Sequence, residues 1–146
     1  MAKASIRTAQ PTDLPGIRFA DPLLRADPER MQTVRASIES GQCIVAVDGE
    51  DILGYAVLSY RLFDQGVVPL LVVSMANRRC GIGTSLLKEI EKRCGQPQLC
   101  VPTTRSNMAA QWMLEKCGYA AGGSIAETAA DEDEELVFNK KLPSRA

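Results

Sequence analysis

The chain has 146 residues, 45% hydrophobic and 24% charged, which fits one globular domain with a buried core. Lys and Arg number 17 against 18 Asp and Glu, so a formal net charge of -1 offers no built-in attraction to nucleic acid or an anionic membrane. Histidine is absent, which removes Ser-His-Asp and Cys-His catalysis and the usual histidine-containing zinc sites.

From Met1 to Arg7 no apolar run follows the early positive charge, so no signal peptide is expected. Residues 5–8 alternate as a short strand, and Thr12 or Asp13 is placed to cap a helix through Leu14 and Ile17. Pro15 suits that helix's first turn, where the missing N–H has no partner in any case. Residues 28–40 repeat the pattern, with Asp27 as cap, Pro28 at the start, Met31, Val34 and Ile38 on one face, and Gly41 as the stop. A meander follows: strands over 43–47, 52–60 and 67–74, the first two joined by the turn Asp48-Gly49-Glu50-Asp51.

Past Gly81 and Gly83 the apolar positions Ile82, Leu86, Leu87 and Ile90 keep helical spacing, Glu89 and Arg93 can pair, and Gly95 closes the segment. Residues 98–101 read as a strand, 107–116 as a helix closed by Gly118, and 119–127 with 135–141 as a final hairpin. Strands with helices between them, on both sides of a mixed sheet, give an α/β or α+β domain. The apolar stretch 67–73 is interrupted by Pro69 and too short to span a bilayer. Five cysteines (Cys43, Cys80, Cys94, Cys100, Cys117) without a CxxC pair point to free thiols in a reducing cytoplasm, with no disulfide framework and no metal.

The informative stretch runs from Leu70 to Ser85, an apolar strand followed by Asn77-Arg78-Arg79-Cys80-Gly81-Ile82-Gly83-Thr84-Ser85 opening an amphipathic helix. A helix N-terminus offers unpaired N–H groups and partial positive charge, so it favours phosphate. Gly81 and Gly83 let a ligand approach the backbone, Arg78 and Arg79 add charge, and Thr84 and Ser85 add hydroxyls. A dinucleotide fingerprint would need a third glycine where Leu86 stands, and the Gly-Lys-Ser/Thr of a Walker loop is absent. A tight strand-to-helix turn without a ligand is the remaining alternative.

Arg78-x-x-Gly81-x-Gly83 resembles the Arg/Gln-x-x-Gly-x-Gly/Ala pyrophosphate loop of the GNAT acetyltransferase superfamily. Ser106-Asn107-Met108-Ala109-Ala110 through Glu115-Lys116-Cys117-Gly118-Tyr119 resembles that family's helix from Asn to Gly-Phe/Tyr, and the element order agrees along nearly the whole chain. The resemblance implies a single GNAT-like domain over 1–146, with a mixed, mostly antiparallel sheet flanked by helices. It implies acetyl-CoA as co-substrate and a small-molecule or peptide amine as acceptor, with no role for nucleic acid or membrane, and is compatible with a homodimer. Leu71, Val72 and Val73 would present backbone to the pantetheine arm, and Arg78, Arg79, Cys80, Gly81, Ile82, Gly83, Thr84 and Ser85 would surround the pyrophosphate. Asn107 would bond to the pantetheine, although a plain helix cap is an equally good role for it.

The reaction so implied is direct attack of a neutral amine on a thioester, with the backbone of Val73 as oxyanion donor. Many relatives carry a tyrosine four residues before the helix-ending glycine, where this chain has Leu114, and an acid on the preceding strand, where it has Pro69 and Leu70. A thiol of pKa near 8.5 leaves as thiolate only about 2 kcal/mol uphill of pH 7, whereas deprotonating a lysine-like amine costs about 4.6 kcal/mol and an α-amine about 1.4. The missing base therefore matters more than the missing acid, and Tyr60, Asp64, Tyr119 and Glu127 are the weak candidates for it. The same losses fit a non-catalytic module that binds or senses acyl-CoA. Trp112 is expected in the core, and the acidic run 131–135 as a solvated loop that can attract a cationic acceptor.

Overall fold

The computed structural model describes residues 4–62, 65–78, 80–124 and 135–143. Its strands follow the order β1-β2-β3-β4-β5-β7-β6 in a mixed, mostly antiparallel sheet, and four α-helices accompany them among the described residues. The chain forms two compact units, one from residues up to Ser59 with Leu70–Arg93, the other from Tyr60–Pro69 with residues from Cys94 onward.

In the first unit β1 (Ser5–Thr8) pairs antiparallel with β2 (Cys43–Asp48), and β2 with β3 (Asp51–Leu62). Cys43 through Val47 are all buried, so this strand is covered on both faces, which suits its β-branched and small side chains. On one face α1 (Leu14–Ala20), the 3-10 turn Pro22–Arg25 and α2 (Pro28–Ser40) bring Ile17, Leu24, Val34 and Ile38 against Cys43, Val45, Val47, Tyr55 and Val57. α3 (Ile82–Arg93) buries Leu86, Leu87 and Ile90 and touches β1 and β2. α2 begins and ends where its sequence signals stand. Asp27 accepts from Arg30 N–H at 3.0 Å, and Gly41 takes the left-handed stop at φ 75.

α1 differs from its expected start. A 3-10 turn, Pro11–Asp13, precedes it, and the Asp13 side chain makes no cap bond to α1. The carboxylate instead takes two bonds from the Arg7 guanidinium, at 2.7 and 2.8 Å, and one from Gln10 N–H at 2.7 Å. Arg7 holds this carboxyl below the usual carboxylate range. Between α1 and α2, Asp21 is only 2% exposed, a position a carboxylate tolerates when paired. It accepts from Tyr55 Oη at 2.6 Å, Arg30 Nε at 2.8 Å and Leu23 N–H at 3.2 Å.

β4 (Gln65–Val73) runs through both units. In the second unit its first residues pair in parallel with β5 (Gln98–Thr104), from Gln65↔Gln98 to Val67↔Cys100. Among the described residues the ladder stops there, and both strands carry a proline just beyond it, Pro69 and Pro102, with no N–H to offer. β5 is longer than its expected 98–101 because β7 (Glu135–Lys141) pairs with it from Gln98 to Thr104. β7 also pairs with β6 (Ala120–Ser124), and α4 (Met108–Lys116) ends on Gly118 at φ 94. Tyr119 N–H closes that end on Leu114 O at 2.9 Å.

The first unit contains one close approach that the sequence pattern missed. In the β2–β3 register Ala46 faces Gly54 and Val47 faces Ile52, so Leu53 bulges between them. A Cβ on Gly54 would stand 2.6 Å from Val72 O and 3.2 Å from Val73 Cα, both backbone atoms of β4. Gly54→Ala is therefore expected to lower stability by about 1–3 kcal/mol, because backbone rather than a flexible side chain must yield. Denaturant unfolding measures it, and a variant as stable as the wild type would show that the two strands separate freely.

Candidate functional site

The C-terminal end of β4 is fixed by its neighbour. Ser74 N–H donates to Leu53 O at 2.8 Å, the carbonyl that the bulge presents. In a trans peptide C=O and N–H point in opposite directions, so Val73 O faces away from β3. Along an extended strand a residue's own N–H and C=O share a side, which turns Val73 N–H and the Leu71 backbone groups away from β3 as well. Val72, between them, has its side chain packed with Leu70 on the core beneath α1 and α2. The strand thus turns the backbone groups of Leu71 and Val73 away from β3, while Val72 O lies against Gly54 of β3.

After Ser74 the chain makes a short 3-10 turn, Met75–Asn77, in which Asn77 Nδ2 donates to Ser74 Oγ at 2.6 Å and Asn77 N–H to Ser74 O at 3.0 Å. Arg78 is exposed, and its Nε donates to Val73 O at 3.3 Å. Arg79 lies outside the described residues. Cys80 is exposed, with Sγ 3.6 Å from Arg78 O. Gly81 has φ 82, a left-handed conformation that explains the glycine without any ligand, and no heavy atom lies within 4 Å of where its Cβ would be. Ser85 N–H makes the first helical bond, to Gly81 O at 3.0 Å. The N–H groups of Ile82, Gly83 and Thr84 therefore precede any i−4 acceptor in α3 and form the positive end of its dipole. Ile82 is buried and anchors the turn, while Ser85 is exposed.

In the second unit Asn107 caps α4, its Oδ1 accepting from Ala110 N–H at 3.2 Å. Gln111 Nε2 donates to Thr104 O at 3.0 Å and Arg105 O at 2.7 Å, which fixes the turn ahead of the helix. Trp112 departs from expectation: it is 68% exposed, with Lys116 Nζ 5.7 Å from its ring centroid. Two positions along a helix are about 200° apart, so burying Leu114, which is 1% exposed, turns Trp112 to the opposite side.

The candidates for acid or base fare differently. Tyr60 is 41% exposed, and its Oη accepts from Gly95 N–H at 3.1 Å. Tyr119 is 3% exposed, with Lys140 Nζ 5.5 Å from its ring centroid. Asp64, Glu127 and the acidic run up to Glu134 lie outside the described residues. The five cysteines are free, and burial pushes the Cys43 thiol up to about 11, far from a reactive thiolate. No group of possible metal ligands and no helix long and apolar enough to cross a membrane occurs among the described residues.

Residues 10–119 match the family model described as the Acetyltransferase (GNAT) family. No curated protein matches the chain. The fold is similar to an acetyltransferase of the GNAT family from Bacillus cereus ATCC 10987, at 24% identity and TM-score 0.87 over 98% of this chain and 100% of that one. It is also similar to the ribosomal-protein-S18-alanine N-acetyltransferase of Escherichia coli, at 19% identity and TM-score 0.78 over 99% and 97% of the two chains. A third likeness is to yncA from Salmonella typhimurium, solved with its cofactor acetyl-CoA, at 19% identity and TM-score 0.77 over 99% and 97%.

Burial of Leu114 decides what a tyrosine would do there. Leu114→Tyr is expected to destabilise the protein by about 1–3 kcal/mol, since it forces a larger side chain and a hydroxyl into a filled space. Thermal melting measures this. An unchanged melting point with faster turnover would instead mark the position as facing a substrate.

Proposed function

We propose that this chain, which belongs to the acetyltransferase (GNAT) family, transfers an acetyl group from acetyl-CoA to a primary amine by direct attack. The observation that carries the reading is the junction of β4 and α3. A backbone edge ending at Val73 is followed by a left-handed glycine and a helix N-terminus with three N–H groups ahead of the first helical bond. Together these offer donors for a pyrophosphate and, along the strand, for the amides of a pantetheine arm added like a further strand. The acetyl-CoA complex of the similar yncA from Salmonella typhimurium supports the same cofactor.

In this reading the main-chain N–H groups of residues 80–84 hold the pyrophosphate, with Thr84 and Ser85 contributing hydroxyls. Leu71 and Val73 engage the arm, and Val73 N–H meets the thioester oxygen. The amine nitrogen attacks the carbonyl carbon, charge collects on the oxygen, and the C–S bond breaks as the C–N bond persists. The amine's proton passes to solvent and the thiolate leaves. With Tyr119 buried and Tyr60 accepting from Gly95, the described residues favour an acceptor that is partly neutral at working pH, so the rate should rise as the amine deprotonates. Asn107 acts as the cap of α4. The proposed cofactor and the free thiols support a cytoplasmic setting. A module that only senses acyl-CoA fits the missing tyrosine and acid and is the second reading.

Two experiments test this. Incubation with acetyl-CoA and a panel of amines is expected to release free CoA thiol and add the mass of one acetyl group to an acceptor. Acetyl-CoA binding without either product for any amine would favour the sensing module. Gly81→Val is expected to remain folded, since the space is open, while losing about 1–2 kcal/mol to backbone strain. Its affinity for acetyl-CoA should drop by more than about tenfold, because the side chain enters the phosphate's approach. Wild-type-like calorimetric binding by a folded variant would end the assignment of the loop.

A further inference from the structure

The peptide between Val73 and Ser74 is held at both ends. Its N–H donates to Leu53 O at 2.8 Å, and its C=O accepts from Arg78 Nε at 3.3 Å. The first bond ties the peptide to β3 and the second ties it to the loop, on opposite sides of the strand. Asn77 adds two further bonds to Ser74, at 2.6 and 3.0 Å, so the corner through which β4 leaves the sheet is bonded from the loop as well. Val73 is the last residue of β4 and extended, so fixing the peptide after it also limits the direction of its own N–H. That N–H lies on the same side as the carbonyl Arg78 holds.

We propose that Arg78 is a positioning residue: its Nε–H, by holding the Val73 carbonyl, aims the Val73 N–H at the thioester oxygen. The inference rests on the acetyl-CoA reading and adds to it, since it gives Arg78 a role that depends on a directed donor rather than on charge beside the pyrophosphate. The two roles differ in what can replace them. Glutamine places an N–H donor the same number of bonds from Cα as Arg Nε and carries no charge. Lysine keeps the charge but carries its donors one atom further out, and methionine offers neither.

The test uses the full chain with acetyl-CoA as probe and Arg78→Gln, Arg78→Lys and Arg78→Met as variants, each checked for a wild-type-like melting point. Calorimetry gives acetyl-CoA affinity, the infrared band of the bound thioester carbonyl reports its hydrogen bond, and turnover is read with an amine from the acceptor panel. In Arg78→Met the carbonyl band is expected to move back toward its position in free acetyl-CoA and kcat to fall about tenfold, with Kd changed by less than about threefold. Arg78→Gln should recover both the band and kcat, and Arg78→Lys should recover neither. A pattern that follows charge, with Lys like the wild type, Gln like Met and the loss in Kd, would overturn the proposal in favour of a phosphate contact. Wild-type behaviour of all three variants would overturn it too. Failure of the wild type to bind acetyl-CoA would refute the reading of the site itself, and the positioning role with it.

Discussion

The bond from Ser74 N–H to Leu53 O is the constraint on which the candidate site depends. It exists because β3 bulges at Leu53 and because Gly54 lets the backbone of β4 come closer than a Cβ would allow. It fixes which way the last peptide of β4 points, and so which backbone groups of Leu71 and Val73 are turned away from β3. It also sets where the chain leaves the sheet, and from there a short turn and a left-handed glycine carry it into α3. A phosphate-binding helix end is common. One joined to a strand end whose peptide is held on both sides is a more particular arrangement, and suits a ligand that is anionic at one end and amide-rich along its length.

The remainder of the first unit keeps that strand end in place. α1 and α2 cover one face of the strands, and Leu70 and Val72 are among the side chains packed beneath them. The turn between these helices is anchored by the buried Asp21, whose oxygens are shared among Tyr55, Arg30 and Leu23. A buried carboxylate with several donors is tolerable, whereas one deprived of them would carry an uncompensated charge. Burial and the neighbouring Asp21 push the Tyr55 hydroxyl well above its ordinary pKa, so it remains a donor at any physiological pH. This network serves the fold by tying the turn between α1 and α2 to β3.

Where the chain departs from the family's residue pattern, packing accounts for what stands there. Leu114 fills buried space at the end of α4, next to a helix stop in which Gly118 and Tyr119 close the last turn. Pro69 and Pro102 stand just past the point where the β4–β5 ladder ends, and neither can extend it. In the proposed reading the chemistry falls to backbone groups and helix-end N–H donors, which agrees with a chain that has no histidine. Family membership makes such economy intelligible, because attack on a thioester asks mainly for orientation and for a donor to the developing oxyanion.

Much of this was legible in the sequence because it depends on local physics. Asp27 with Pro28 and Gly41 bounds α2, Gly81 stands just before α3, and the spacing of Ile82, Leu86, Leu87 and Ile90 gives its buried face, all through caps and periodicity acting over a few residues. The loop and its resemblance were likewise readable, since glycines before an amphipathic helix carry their reason with them. What only the tertiary structure decided involves partners distant in the chain. Asp13 turned from a helix cap to Arg7, Trp112 lay outside the core, and β5 lengthened because β7 pairs along it. Gly54 could be seen as a glycine in a strand, but that it faces Val72 and Val73, and that Leu53 therefore holds Ser74, follows from the register between strands. Register is settled by which side chains can be buried together, and no stretch of sequence contains both sides of that choice.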